Sequence, residues 1–73
     1  MPASTIIVQY RDGTPARNIR VVLGFWSGTT DAVYTDYYGQ VVVEHSPVGK
    51  ATVYVSGNDC GSFHAPGRYA ATI

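Results

Sequence analysis

Apolar and polar residues alternate with a period of two along most of this chain, and no stretch repeats at the 3.6-residue period of a helix. Strand side chains two apart share a face, so this alternation predicts strands with one face buried. Ser4 to Tyr10 reads as the first strand, with Ile6, Val8 and Tyr10 on one face and Thr5, Ile7 and Gln9 on the other. Asn18 to Trp26 is the second, setting Ile19, Val21, Leu23 and Phe25 against Arg20, Val22, Gly24 and Trp26. Asp31 to Thr35 is a short third strand, rich in β-formers. Gln40 to His45 is the fourth, with Val41 and Val43 opposite Val42. Lys50 to Ser56 is the fifth, with Ala51, Val53 and Val55 opposite Thr52 and Tyr54. Gly57 to Gly67 carries little regular signal and reads as a loop. Arg68 to Ile73 is the last strand, with Tyr69, Ala71 and Ile73 in phase.

Turn chemistry separates these runs. In Arg11-Asp12-Gly13-Thr14-Pro15, glycine supplies a positive φ and proline sets its own. Ser27-Gly28-Thr29-Thr30 is a second turn, and Ser46-Pro47-Val48-Gly49 closes the fourth strand. In Asp36-Tyr37-Tyr38-Gly39, the aspartate side chain is expected to bond its own turn backbone and Gly39 to take a positive φ. Closely spaced strands with turns between them predict one all-β domain over residues 1–73, a mostly antiparallel sandwich or barrel. Its expected core is Val8, Val21, Leu23, Val41, Val43, Val53 and Val55.

At 73 residues the core is thin. A chain of this size buries only about 60% of its unfolded surface. The single cysteine, Cys60, cannot close an internal disulfide. Five basic and five acidic residues cancel to a net charge of zero. No basic patch favours nucleic acid, and little charge keeps copies apart. The longest apolar runs are far too short for a membrane-spanning helix, and Met1-Pro2-Ala3-Ser4-Thr5 lacks the form of a secretory leader. A lone cysteine without a leader fits the cytoplasm if the chain is full-length; a domain cut from a longer protein is the other reading.

Several motifs resemble one group of domains. Val8-Gln9-Tyr10-Arg11-Asp12-Gly13-Thr14-Pro15-Ala16 resembles the first strand and turn of carboxypeptidase regulatory-like domains, which belong to the transthyretin-like (prealbumin-like) β-sandwiches. Ile19, Val21 and Leu23 match that group's alternating second strand. Thr35-Asp36-Tyr37-Tyr38-Gly39-Gln40-Val41 resembles its Thr-Asp-x-x-Gly-x-apolar turn. Pro47-Val48-Gly49-Lys50-Ala51-Thr52-Val53 resembles its Pro-x-Gly-x-aromatic-x-aliphatic run, with Ala51 where an aromatic is common. The likeness covers roughly residues 6 to 56, and immunoglobulin-like domains of cell-surface proteins share parts of it. It implies a small immunoglobulin-like sandwich of six to seven strands that serves as a folding, adhesion or binding module. Asp12, Gly13, Pro15, Asp36, Gly39 and Gly49 are then structural turn residues. One branch of the group contains hydroxyisourate hydrolase, whose C-terminal Tyr-Arg-Gly-Ser is replaced here by Gly67-Arg68-Tyr69-Ala70-Ala71-Thr72-Ile73.

Candidate chemistry is sparse. His45, Cys60 and His64, with Asp59, are residue types that bind zinc, but the spacing matches no known knuckle. The plainer reading is a small buried thiol and two surface imidazoles. Cys60 and His64 could pair as nucleophile and base in a small hydrolase, yet nothing supplies an orienting third group. Asp12, Asp31, Asp36, Glu44 and Asp59 are scattered singly, without the spacing of a calcium loop. The expectation is therefore no enzyme, no metal and no cofactor. Outward aromatics are the better lead. Trp26, Tyr34 and Tyr54 could form a surface for a protein or a sugar, or pack across the sheet to reinforce the core. The favoured reading is an interaction module that meets a protein partner or its own copies through that face or through a sheet edge, Ser4 to Tyr10 or Arg68 to Ile73. A carbohydrate-binding module is the alternative.

Overall fold

The computed structural model describes residues 3–73. Met1 and Pro2, the start of the segment read as lacking a leader, lie outside the described residues. The chain forms β1 (Ala3–Gln9), β2 (Arg20–Phe25), β3 (Gly28–Thr29), β4 (Val33–Tyr34), β5 (Gln40–Glu44), β6 (Gly49–Val55), β7 (Asn58–Ala65) and β8 (Arg68–Thr72). One sheet is three-stranded, ordered β5-β1-β8. The other is five-stranded, ordered β3-β2-β6-β7, with β4 also pairing β2. Pairings are antiparallel except that of β1 with β8. No helix long and apolar enough to cross a membrane occurs among the described residues.

The two inner faces share one core. Ile6, Val8, Val43 and Ala71 from the first sheet meet Val21, Leu23, Val53 and Val55 from the second. The strand phases are those the alternation predicts: Val43 and Val53 are buried, whereas Val42 is exposed. Val41 is only half-buried, packed against the rim of the core. Tyr10 falls beyond β1 and is exposed. Val22 is buried although it belongs to the outer face of β2. It stands opposite Tyr54, whose ring lies across β2, and a Cβ on Gly24 would fall 2.7 Å from that ring.

Three expectations are corrected. Trp26 is not in the second strand; it begins the turn that returns the chain as β3. Gly57 to Gly67 is not a loop but mostly β7, paired along β6. The first strand is not a free edge, because β1 lies between β5 and β8. The last strand, β8, is an edge.

Thr35 fixes the passage from β4 to β5. Its buried hydroxyl donates to the Ala16 carbonyl at 2.6 Å and accepts from the Ile19 amide at 2.9 Å. Thr35→Val keeps the shape but strands both backbone groups. It is expected to cost about 2 kcal/mol, read as a lower urea midpoint with an unchanged slope.

Candidate functional site

The site is built around the free edge of β5. The Gly39 carbonyl accepts from the Val8 amide on β1 at 2.7 Å, so Gly39 faces β1. The next residue faces the other way: the Gln40 carbonyl accepts from the Asp36 amide at 2.8 Å, and the Gln40 amide donates to Asp36 Oδ1 at 3.0 Å. Backbone direction alternates along a strand. The N–H and C=O groups of Val42 and Glu44 therefore also point away from β1. The turn caps Gln40, but among the described residues no strand pairs with this side of Val42 and Glu44.

These groups border a cleft of about 730 Å³ between the edges of the two sheets. Phe25, Val33, Val43 and His45 form its more buried wall. Ser27, Gly28, Thr29, Thr30 and Asp31 form one lip; Val42, Glu44, Ser46 and Pro47 form the other. The volume lies within the roughly 300–1,000 Å³ usual for small-ligand sites. A smaller hollow of about 250 Å³ adjoins it, lined by Phe25, Trp26, Ser27, Pro47, Val48 and Lys50. Val42, Val48 and Trp26 are exposed around these openings, giving them an apolar rim.

His45 is held at the back of the cleft by contacts on both ring nitrogens. Its Nδ1 lies 2.7 Å from the Pro47 carbonyl, which can only accept, so Nδ1 carries the proton. In the neutral imidazole Nε2 is then the acceptor, and the Ser4 hydroxyl donates to it at 2.8 Å. Ser4 Oγ in turn accepts from the Gly67 amide at 3.2 Å. The Phe25 ring packs on the imidazole at 4.9 Å between centroids. Ser4 and His45 are 1% and 4% exposed, so this network joins strands and turns within the interior. Reading His45 as a surface imidazole was wrong: it follows β5 in the inward phase of Val41 and Val43. Ser4 carried no signal, because its partners lie 41 and 63 residues away.

The other sequence candidates are dispersed. Trp26 is fully exposed at the β2–β3 turn. Tyr34 stands opposite Arg20 at the far end of β2, about 20 Å away along a strand rising about 3.3 Å per residue. Tyr54, half-buried, lies between them opposite Val22. Cys60 packs against the core while His64 is exposed, and His45 belongs to the network above. Asp59 Oδ1 accepts from the Gly61 amide at 2.9 Å. No group of three or more His, Cys, Asp or Glu that could hold a metal occurs among the described residues.

The turn residues are engaged locally. Asp36 Oδ1 accepts from the Tyr38 amide at 2.9 Å as well as from Gln40. Asp12 Oδ1 accepts from the Thr14 amide at 2.9 Å, and hydrogen bonds from Thr14 hold this exposed carboxyl below its usual range. Pro15 bridges to Gln9. Gly13, Gly39 and Gly49 have φ of 91°, 73° and 127°. Beside the Asp36 turn, the Arg17 guanidinium lies 3.9 Å from the centre of the Tyr37 ring, a cation–π contact that sequence reading missed. The chain matches no protein-family model, and a search of curated proteins finds no match.

Proposed function

We propose that this domain is a non-catalytic β-sandwich interaction module of the prealbumin-like, carboxypeptidase regulatory-like kind, which takes an extended segment of another protein along β5. The observation that carries this reading is the outward backbone of Val42 and Glu44, directed beside a cleft rather than at a partner strand. Unpaired backbone groups at a sheet edge are a template for an added strand. The cleft supplies depth for alternate side chains, and the Trp26 and Val48 rim supplies apolar area. The two-sheet architecture and the motifs in residues 6 to 56 support the family reading.

The test is hydrogen exchange with the blocked neutral pentapeptide Thr-Val-Thr-Val-Thr at about 1 mM, where a contact of about 4 kcal/mol is populated. Slower exchange at the Val42 and Glu44 amides, with no change in β8, is the expected result. Unchanged exchange at both amides rejects the reading. Sedimentation at the same concentration shows whether a second copy occupies the edge. A carbohydrate reading rests on the fully exposed Trp26. It requires a sugar to bind with loss on Trp26→Ala while the Val42 and Glu44 amides stay unaffected.

A further inference from the structure

Resting on strand addition at β5, we infer that the cleft selects an extended segment in which basic residues alternate with aliphatic ones. An added strand continues the pleat of β5, whose side chains already divide into two sets. Val43 and His45 point inward with the Phe25 and Val33 side of the cleft; Val42 and Glu44 point outward. Alternate side chains of the incoming strand must therefore meet different surroundings. One set enters the apolar wall formed by Phe25, Val33 and Val43. This wall suits valine or isoleucine, which pack well on a pleated surface.

The other set lies among carboxylates. Asp31 is on one lip and Glu44 on the other, and no lysine or arginine lines the cleft among the described residues. Lys50 lies beyond Pro47, in the hollow at the Trp26 end. Both carboxylates belong to exposed residues, so their field reaches an outward-facing side chain of the added strand. A cation there is attracted from both lips, and an anion is repelled from both. Opposite charges across neighbouring strands stabilise pairing, and like charges oppose it. The length of free edge is also limited. Gln40 is occupied by the Asp36 turn, which leaves Val42 and Glu44 as the paired positions of β5. A segment of about five residues covers that span at roughly 3.3 Å per residue.

The segment is taken to belong to another protein because β5 is not itself a basic-aliphatic edge. In β5 the outward residues Gln40, Val42 and Glu44 include no cation. Two copies paired through β5 would bring Glu44 of each into one shared acidic patch, with no basic side chain of β5 to offset it.

The experiment compares three blocked pentapeptides on the intact chain at low salt: Lys-Val-Lys-Val-Lys, Glu-Val-Glu-Val-Glu and the neutral Thr-Val-Thr-Val-Thr. Binding is read from chemical shifts and exchange at Val42 and Glu44. The lysine peptide is expected to bind about tenfold more tightly than the glutamate peptide, as two exposed charge contacts of each sign allow. The preference should shrink in 0.5 M salt and reverse in Asp31→Lys/Glu44→Lys. Val42→Pro removes an edge donor without touching the pairing with β1, and should weaken the lysine peptide at least tenfold. Should that variant fail to fold, peptides N-methylated at every lysine or at every valine replace it. Only one of the two series should lose binding, since alternate amides face β5. Equal binding of the charged peptides, with the neutral one still protecting Val42 and Glu44, overturns the charge selection and leaves strand addition standing. No protection by any of the three overturns both. A dimer at about 1 mM that Val42→Pro abolishes assigns the edge to a second copy and overturns the foreign partner.

Discussion

Gly39→Val is expected to unfold the domain or bring it close to unfolding at 25 °C. Two costs act together. Gly39 has a φ of 73°, a conformation that a β-branched residue resists most strongly. The space is also closed: an added Cβ would collide with the Val8 carbonyl oxygen and lie 3.0 Å from the Ala16 nitrogen. Both are backbone atoms, and they already bond each other, with the Ala16 amide donating to the Val8 carbonyl at 3.0 Å. The Val8 amide simultaneously donates to Gly39 at 2.7 Å. Relieving the collision means moving the turn away from β1 and losing bonds in the interior. The backbone strain costs about 1–3 kcal/mol, and a disrupted buried hydrogen bond adds about 1–3 kcal/mol. A domain of this length has a total stability of about 4–11 kcal/mol.

Gly13→Ala is the control. Gly13 also has a positive φ, 91°, but nothing lies within 4 Å of its missing Cβ. It should lose only about 1 kcal/mol. Urea denaturation of the two variants separates conformation from contact. Similar midpoints for Gly39→Val and wild type would show that the turn can leave β1 without loss.

The same contrast between local and distant causes explains what could be read in the sequence. The core of β2, β5 and β6 was legible because Val21, Leu23, Val43, Val53 and Val55 keep strict phase. In β7 the phase breaks. Tyr54 pairs with Asp59 and Thr52 with Ser62, so Val53 faces two residues, Cys60 and Gly61. That bulge places Cys60, Phe63 and Ala65 inward at intervals of three and then two, a pattern that matches neither strand nor helix. Strand order was hidden for another reason. Periodicity tells a strand which face to bury but not which neighbour to take, so β1 could be read as an edge while β8 takes it in parallel pairing. The cleft was hidden with it, because the free side of β5 exists only once β1 has claimed the other. Trp26 and Tyr54 share a strand face in phase alone. The turn at Trp26 sends one ring to solvent, and the lack of a Cβ on Gly24 lets the other lie across the sheet.

The Ser4–His45 network should reveal itself as a coupling rather than as two separate losses. Ser4→Ala leaves Nε2 of His45 without its donor and the Gly67 amide without its acceptor. His45→Phe retains a ring against Phe25 but leaves the Ser4 hydroxyl without an acceptor and the Pro47 carbonyl without a donor. Each variant thus keeps one half of a buried pair, and a stranded buried polar group costs about 1–3 kcal/mol. The double variant Ser4→Ala/His45→Phe removes both halves of the Ser4–His45 bond together. Its loss should fall short of the sum of the single losses by about 1 kcal/mol or more, the scale of coupling between groups in one network. Denaturation midpoints of the four proteins at one pH measure this difference. Strictly additive losses would mean that Ser4 and His45 stabilise the fold independently, through Gly67 and Pro47, and that the short contact between them contributes nothing. A non-additive result would instead make the bond between β1 and the end of β5 the device that anchors the back of the cleft. The Gly67 and Pro47 contacts would then act through it, joining the β7–β8 and β5–β6 turns to one buried ring.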